Sequence, residues 1–184
     1  IRAGYRSEFG TGYFYSIGPR LRIGDQFLFV YTFKYDRFAN QRGFVKVANQ
    51  GPQQQIVFGR RDNITYTNSI NGSYIFSNKS WISLNMRHYW SKVDYDKYYA
   101  LKPAGGLLPL PGYNENADLN YNVFNIDLIY SWNFAPGSFM KLVWKNSIQE
   151  RESVEADNFQ SFLGNLENTL NAQAAQNSFS IKVT

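Results

Sequence analysis

The sequence predicts an all-β protein: an antiparallel transmembrane β-barrel of the outer-membrane type, present here as a partial barrel of about seven strands with one short loop helix. Three observations predict it. Apolar and polar residues alternate with period two over stretches of about ten residues or more. Such alternation sends successive side chains to opposite faces of a sheet, and these stretches exceed the usual strand of about five or six residues. The apolar face is rich in aromatics, while the other face carries amides, hydroxyls and charge. Short turns also alternate with long connections, as in barrels with short turns at one membrane face and long loops at the other.

The central hairpin shows the pattern best. Along 64–76, Ile64, Tyr66, Ile70, Tyr74 and Phe76 share one face, with Thr65, Thr67, Ser69, Asn71 and Ser73 on the other. After a turn at 77–80, Ile82, Leu84, Met86 and Trp90 oppose Ser83, Asn85, Arg87, Tyr89 and Ser91. Upstream, the segment 13–23 places Tyr13, Tyr15, Ile17, Pro19, Leu21 and Ile23 on the apolar face and Ser16, Gly18, Arg20 and Arg22 on the other. Tyr5 and Phe9 extend this alternation weakly, so one continuous long strand is expected to reach back through 2–10. Gly24, Asp25 and Gln26 turn the chain into 27–37, where Phe27, Phe29, Tyr31, Phe33 and Tyr35 alternate with Leu28, Val30, Thr32, Lys34 and Asp36.

Residues 38–55, rich in Asn and Gln, read as a long connection, and 96–118 as a second, since its Pro and Gly exclude a regular element. Between them and the chain end lie 121–134 (Phe124, Ile126, Leu128, Tyr130, Trp132 and Phe134 against Asn125, Asp127, Ser131 and Asn133) and, after the turn 135–138, Met140, Leu142, Trp144 and Ile148 against Lys141, Lys145 and Ser147. A third connection, 150–176, contains Phe159, Phe162, Leu163, Leu166 and Leu170 at helical spacing, either a helix packed on the rim or a lid over the mouth. The last segment, 178–184, alternates Phe179, Ile181 and Val183 with Ser180, Lys182 and Thr184. Apolar residues keep one face across each short turn if Ile23 pairs with Phe27, Phe76 with Ser80 and Phe134 with Met140, which implies odd-length turns. The turns at Asp25, Lys79 and Pro136 should then share one edge of the sheet.

Composition narrows the function. The 184 residues include no Cys and one His, His88, which removes disulfide frameworks, thiolate sites and multi-histidine metal centres. No cofactor and no metal site is expected. A mean hydropathy of −0.44 together with 18% aromatics suits a membrane sheet, in which only every second residue must be apolar. The net charge of +5 suits anionic lipid headgroups or an acidic partner, and no nucleic-acid motif accompanies it. The whole of 1–184 reads as part of one barrel domain in a bacterial, Gram-negative outer membrane, incomplete at both ends. Seven strands would leave open edges, which hydrocarbon does not tolerate; further strands of the barrel or another chain are expected to pair with them.

Two sets of residues follow as candidates. Facing the lumen are Arg20, Arg22, Lys34, Arg87, Lys141, Lys145 and Lys182, against Asp36 and Asp127. A mostly basic interior selects anions or attracts an acidic plug, unless strands outside this chain supply the counter-charges. At the lipid interface, Tyr13, Tyr35 and Trp90 form an outer aromatic girdle and Tyr74, Tyr130 and Trp132 a periplasmic one. Arg60, Arg61 and Asp62 lie near the outer rim, placed to grip anionic headgroups or to stand in water. His88 lies on the apolar face, and Asn68 is expected opposite it. General-base work would need a nucleophile within reach, but Ser69, Ser83 and Ser91 all face the other way, so no catalytic residue is assigned.

The segments IVFGRRDNITYTNSINGSYIFSNKSWISLNMRHYWSKVDY, FNIDLIYSWNFAPGSFMKLVWKNSI and NSFSIKV carry a resemblance, most specifically in RHYWS at 87–91 and W-x-F-A-P-G-S at 132–138. They resemble the C-terminal barrel region of an uncharacterised outer-membrane family whose N-terminal domain is similar to carbohydrate-binding module family 9. The resemblance, which covers roughly Ser16 to the end, implies a β-barrel and a tie to carbohydrate; it supplies no catalytic residues. The expected function is an anchor, scaffold or conduit for a larger cell-surface assembly. The alternatives are a carbohydrate-processing protein whose activity lies in other domains and, more remotely, an integral-membrane hydrolase using His88.

Overall fold

The computed structural model describes residues 1–6, 10–50, 53–153, 164, 167, 171 and 175–184. Ten strands follow in chain order: β1 (Arg2–Arg6), β2 (Thr11–Ile17), β3 (Arg20–Ile23), β4 (Phe27–Gln50), β5 (Gln53–Ser77), β6 (Ser80–Leu101), β7 (Leu107–Pro109), β8 (Leu119–Ala135), β9 (Ser138–Ser153) and β10 (Gln176–Val183). They form one antiparallel sheet in the order β1-β2-β4-β5-β6-β8-β9-β10, with β3 beside β4 and β7 beside β6. The all-β antiparallel expectation is therefore met. The sheet is open: β1 and β10 are its two edges and do not pair with each other.

Register keeps the apolar residues in phase across the whole sheet. One row runs Phe29↔Gly72↔Leu84↔Leu128↔Trp144↔Phe179, and the next runs Phe27↔Tyr74↔Ile82↔Tyr130↔Leu142↔Ile181. A one-residue slip at any strand would send its apolar set to the wrong face. Turns at Asp25, Lys79 and Pro136 fall on one edge, while the extensions of β4, β5 and β6 rise from the other.

Several expectations are corrected. The chain before Tyr13 is not one continuous strand: β1 folds back on β2, pairing Arg2 with Ser16 and Arg6 with Gly12. Gly10, at a φ of 136°, helps the reversal, and the ring of Phe14 lies where a side chain on Gly4 would be. The segment 13–23 is itself broken at Gly18 and Pro19. Proline has no N–H for the ladder, yet its carbonyl still accepts from the Tyr31 amide at 3.1 Å.

Residues 38–55 are not a loop but most of a hairpin, with β4 and β5 paired as far as Gln50↔Gln53. The Asn, Gln and Gly that surround the short apolar run FVKV at 44–47 hid this. Register shifts between Phe38 and Gln41 and between Phe44 and Lys46, with Asn40 at a φ of 57°, further break the alternation. Likewise β6 continues to Leu101, and β7 folds onto it inside the Pro- and Gly-containing stretch.

Two turn pairings also differ. Ser77, not Phe76, pairs with Ser80, and a bulge restores the expected register from Ile75↔Trp81 onward. Met140 pairs with Trp132, two residues from the expected Phe134, which preserves the face. The helical stripe of Phe159, Phe162, Leu163, Leu166 and Leu170 lies outside the described residues.

Side chains that are fully covered gather toward the long-hairpin half. Val57 and Ala100 are register partners there, at 0% and 5% exposure, Val93 is covered lower on β6, and Phe124 and Ile148 are covered beside His88 in the band.

Candidate functional site

Each face of the sheet presents one of the two candidate sets, and parity alone separates them. On the apolar face, Tyr15 stacks on Tyr35 at 5.1 Å, Tyr35 meets Tyr66 edge-on at 5.1 Å and Tyr66 stacks on Trp90 at 5.0 Å. Tyr13 adds to this ladder through Tyr35 at 5.9 Å. The Trp90 indole N–H donates to Asn120 Oδ1 at 2.6 Å. Thus Tyr13, Tyr35 and Trp90 do come together, with Tyr15 and Tyr66 completing the row. At the opposite edge, Tyr74 contacts Phe76, which contacts Tyr130, at 5.0 and 6.3 Å. Trp132 lies one row further out, against Phe134 at 5.8 Å. Between the two aromatic edges lie rows of Phe, Leu, Ile and Met.

A polar island interrupts that band. Asn68 lies opposite His88 as expected, and the Tyr31 hydroxyl donates to Asn68 Oδ1 at 2.6 Å. His88 is 1% exposed and Asn122 0%, and Asn122 is within hydrogen-bond reach of the imidazole. The register partners of His88 are Asn68 and Phe124, so neither flanking strand sets a nucleophile against it.

The opposite face is built from hydroxyls, amides and charge. Arg87 sits between Ser69 and Asn125 in register, with its guanidinium over the Tyr89 ring at 5.9 Å. Asp127 and Lys145 are register partners one row away and form an ion pair at 3.8 Å. These three residues line a groove of about 460 Å³ with Ser69, Asn71 and Asn85. Lys34 and Asp36 belong to a different cavity of about 580 Å³, beside Arg2 and Phe14. Lys141 and Lys182 face one another across β9 and β10. Arg20 and Arg22 stand apart on β3, opposite Val30 and Leu28. Chemically, this face can solvate ions and hydrogen-bond polar solutes. Among the described residues, no group of three His, Asp or Glu is placed to hold a metal ion.

A third region escaped sequence reasoning because it was read as loops. In the projecting extension, Arg60 Nε donates to Asp96 at 2.8 and 3.0 Å, and the two form an ion pair. Lys46 pairs with Glu115. The hydrogen bond from Arg60 holds the Asp96 carboxyl below its usual range, and that from Lys46 does the same for Glu115. Tyr95 stacks on Tyr98 at 5.9 Å, and Tyr98 meets Tyr113 at 4.5 Å. The Tyr95 ring passes over Gly59, where a side chain could not fit. The available signal was the run VDYDKYYA at 93–100, whose charges and rings continue the strand alternation beyond Trp90.

A family model for DUF5916, a domain of unknown function, matches residues 3–184. No curated protein and no solved structure matches the chain.

Proposed function

The chain belongs to the DUF5916 family, a domain of unknown function, and we propose that its sheet is part of the wall of an outer-membrane β-barrel that anchors, or forms a conduit for, a larger cell-surface assembly. One observation carries this reading: a band of apolar side chains, continuous from β2 and β3 to β10 and edged by aromatics, with hydroxyls, amides and charges behind it. In water such a band would be buried by a second layer. Among the described residues no second sheet or helix layer covers it.

Its height also suits lipid. From Ser80, which pairs with Trp132, to Trp90 is ten steps along β6, or about 34 Å at ~3.4 Å per residue. A strand tilt of roughly 40° reduces this to about 26 Å, close to the ~25 Å apolar band of outer-membrane barrels. The two aromatic edges then lie at the headgroup levels, where Tyr and Trp are enriched. The polar face lines a wet interior, with Arg87, Asp127 and Lys145 in its wall. The projecting β4–β5–β6 extension stands outside the membrane. A link of the assembly to carbohydrate rests on the family resemblance alone.

The test uses the absence of cysteine from this sequence. Single nitroxide labels at Ile82, Leu84 and Met86, in full-length protein reconstituted in lipid vesicles, should be accessible to oxygen and shielded from a nickel chelate. Labels at Ser83, Asn85 and Arg87 should show the reverse. A first set shielded from both probes would mean a dry protein core, and one open to the chelate would mean a water-facing sheet; either result overturns the membrane wall.

A further inference from the structure

The free edge of β10 has defined hydrogen-bonding and charge requirements. The amides of Phe139 and Thr184 each donate to the other's carbonyl, at 2.8 and 2.9 Å. They therefore form a hydrogen-bonded pair of the antiparallel ladder, and such pairs alternate with non-hydrogen-bonded ones. The register Lys182↔Lys141, Ile181↔Leu142 then turns the backbone groups of Ser178, Ser180 and Lys182 toward β9. Those of Phe179, Ile181 and Val183 point away from the sheet, where no described strand meets them. Their side chains continue the apolar band and are 76%, 71% and 61% exposed.

The polar face adds a charge requirement. Lys182 stands directly opposite Lys141, and like charges in that position are destabilising. Among the described residues neither lysine takes part in an ion pair.

We infer that the free edge of β10 receives an antiparallel strand bearing Asp or Glu opposite Lys182 and apolar residues opposite Phe179, Ile181 and Val183. The inference rests on the proposed barrel, in which no sheet edge stays open to hydrocarbon. On the incoming side Lys182 occupies a non-hydrogen-bonded pair, where Cα atoms approach to about 4.5 Å and side chains lie closest. A carboxylate there neutralises the Lys141–Lys182 repulsion at the shortest range the ladder offers. Neither edge of this sheet is that strand. β1 reads RAGYR and β10 reads QNSFSIKV, both without an acid. Closure of β10 on β1, or pairing with either edge of a second copy, would only bring more neutral or cationic side chains to Lys182.

Carbodiimide cross-linking of the full-length protein in its native membrane, read by mass spectrometry, tests this directly. Lys46–Glu115, an ion pair in the structure, is the internal positive control. With that link present, Lys182 should be joined to an Asp or Glu in a segment of alternating apolar and polar residues outside β1 and β10. Lys182→Arg should abolish the link and retain the assembled protein, whereas Lys182→Glu should lower the assembled fraction about threefold. Lys182 left unlinked and freely acetylated, or apolar contacts of Phe179 traced by photo-cross-linking to β1 or to a second copy, would overturn the inference. The cross-link reports strand pairing and not lipid exposure, so its failure leaves the oxygen-accessibility alternation standing, and the converse also holds.

Discussion

The apolar band and the projecting extension are parts of one sheet that solve opposite problems. In the band, Leu21, Ile23, Phe76 and Trp132 are 42–60% exposed while polar groups gather behind them. In the extension, Val57 and Ala100 are covered while Phe44, Val47 and Leu108 are 47–54% exposed, and charges are paired with one another, Arg60 with Asp96 and Lys46 with Glu115. What marks the extension is the pairing of its charges across strands, not a full cover over its apolar residues. The band separates its residues by face, apolar on one side and polar on the other, with exposure greatest toward the short turns and Trp90, Phe124 and Ile148 covered further along. A shared backbone ladder therefore does not imply a shared environment, and substitutions in the two regions should answer to different conditions.

The largest contrast should come from charge in the band. Arg at Phe29, Leu84, Ile126 or Leu142 is expected to lower folding stability in lipid vesicles by about 2–4 kcal/mol, measured by denaturant titration. Leu84→Arg with no cost in vesicles would place the band in water and erase the distinction. Next in size, Val57→Ala removes two buried methyl carbons from the extension. At ~0.8 kcal/mol each, it should cost about 1.6 kcal/mol, read as faster hydrogen exchange around 43–59 and 96–101, with insertion of the band unchanged. The smallest effect concerns acid. The Asp96 and Glu115 carboxyls are held below their ordinary values of 3.8 and 4.5 by Arg60 and Lys46. Their contribution is thus present above those values and is lost as the pH falls through the folded-state ones. Protection from hydrogen exchange in 96–118, relative to the intrinsic rate at each pH, should fall modestly from pH 7 to pH 3, since exposed pairs contribute little, while protection in the band should not follow.

The band was legible in the sequence because its two faces carry different residue classes, and that difference is written as alternation in the strands from Tyr13 to Val183. Parity across the turns even placed Asn68 opposite His88. The extension was not legible, because register shifts at Phe38/Gln41 and Phe44/Lys46 interrupt its alternation and FVKV at 44–47 and IVF at 56–58 are too short to stand out among Asn, Gln and Gly. β1 was hidden for a different reason: its reversal depends on a backbone conformation at Gly10, not on an apolar pattern. Among the candidate charges, face was legible but neighbourhood was not. Joining Arg87, Asp127 and Lys145 in one groove required the β6–β8–β9 register, whereas Arg20 and Arg22 share only their face with them.

The length of the β4–β5 hairpin has a mechanical consequence. Beyond Arg37 the ladder continues for thirteen residues to Gln50, about 40 Å at ~3.3 Å each. A force applied at its tip along the strand axis would pull β4 and β5 together and load, side by side and in shear, the bonds that tie them to β2, β3 and β6, so that many must fail together. A sideways force would bend the hairpin near its tip, where Gln50 pairs with Gln53 and where β6, whose pairing with β5 ends at Ala100 opposite Val57, gives no support. The hairpin is therefore strong as a tether and weak as a lever, with the register shifts at Phe38/Gln41 and Phe44/Lys46 as the places where it would bend first.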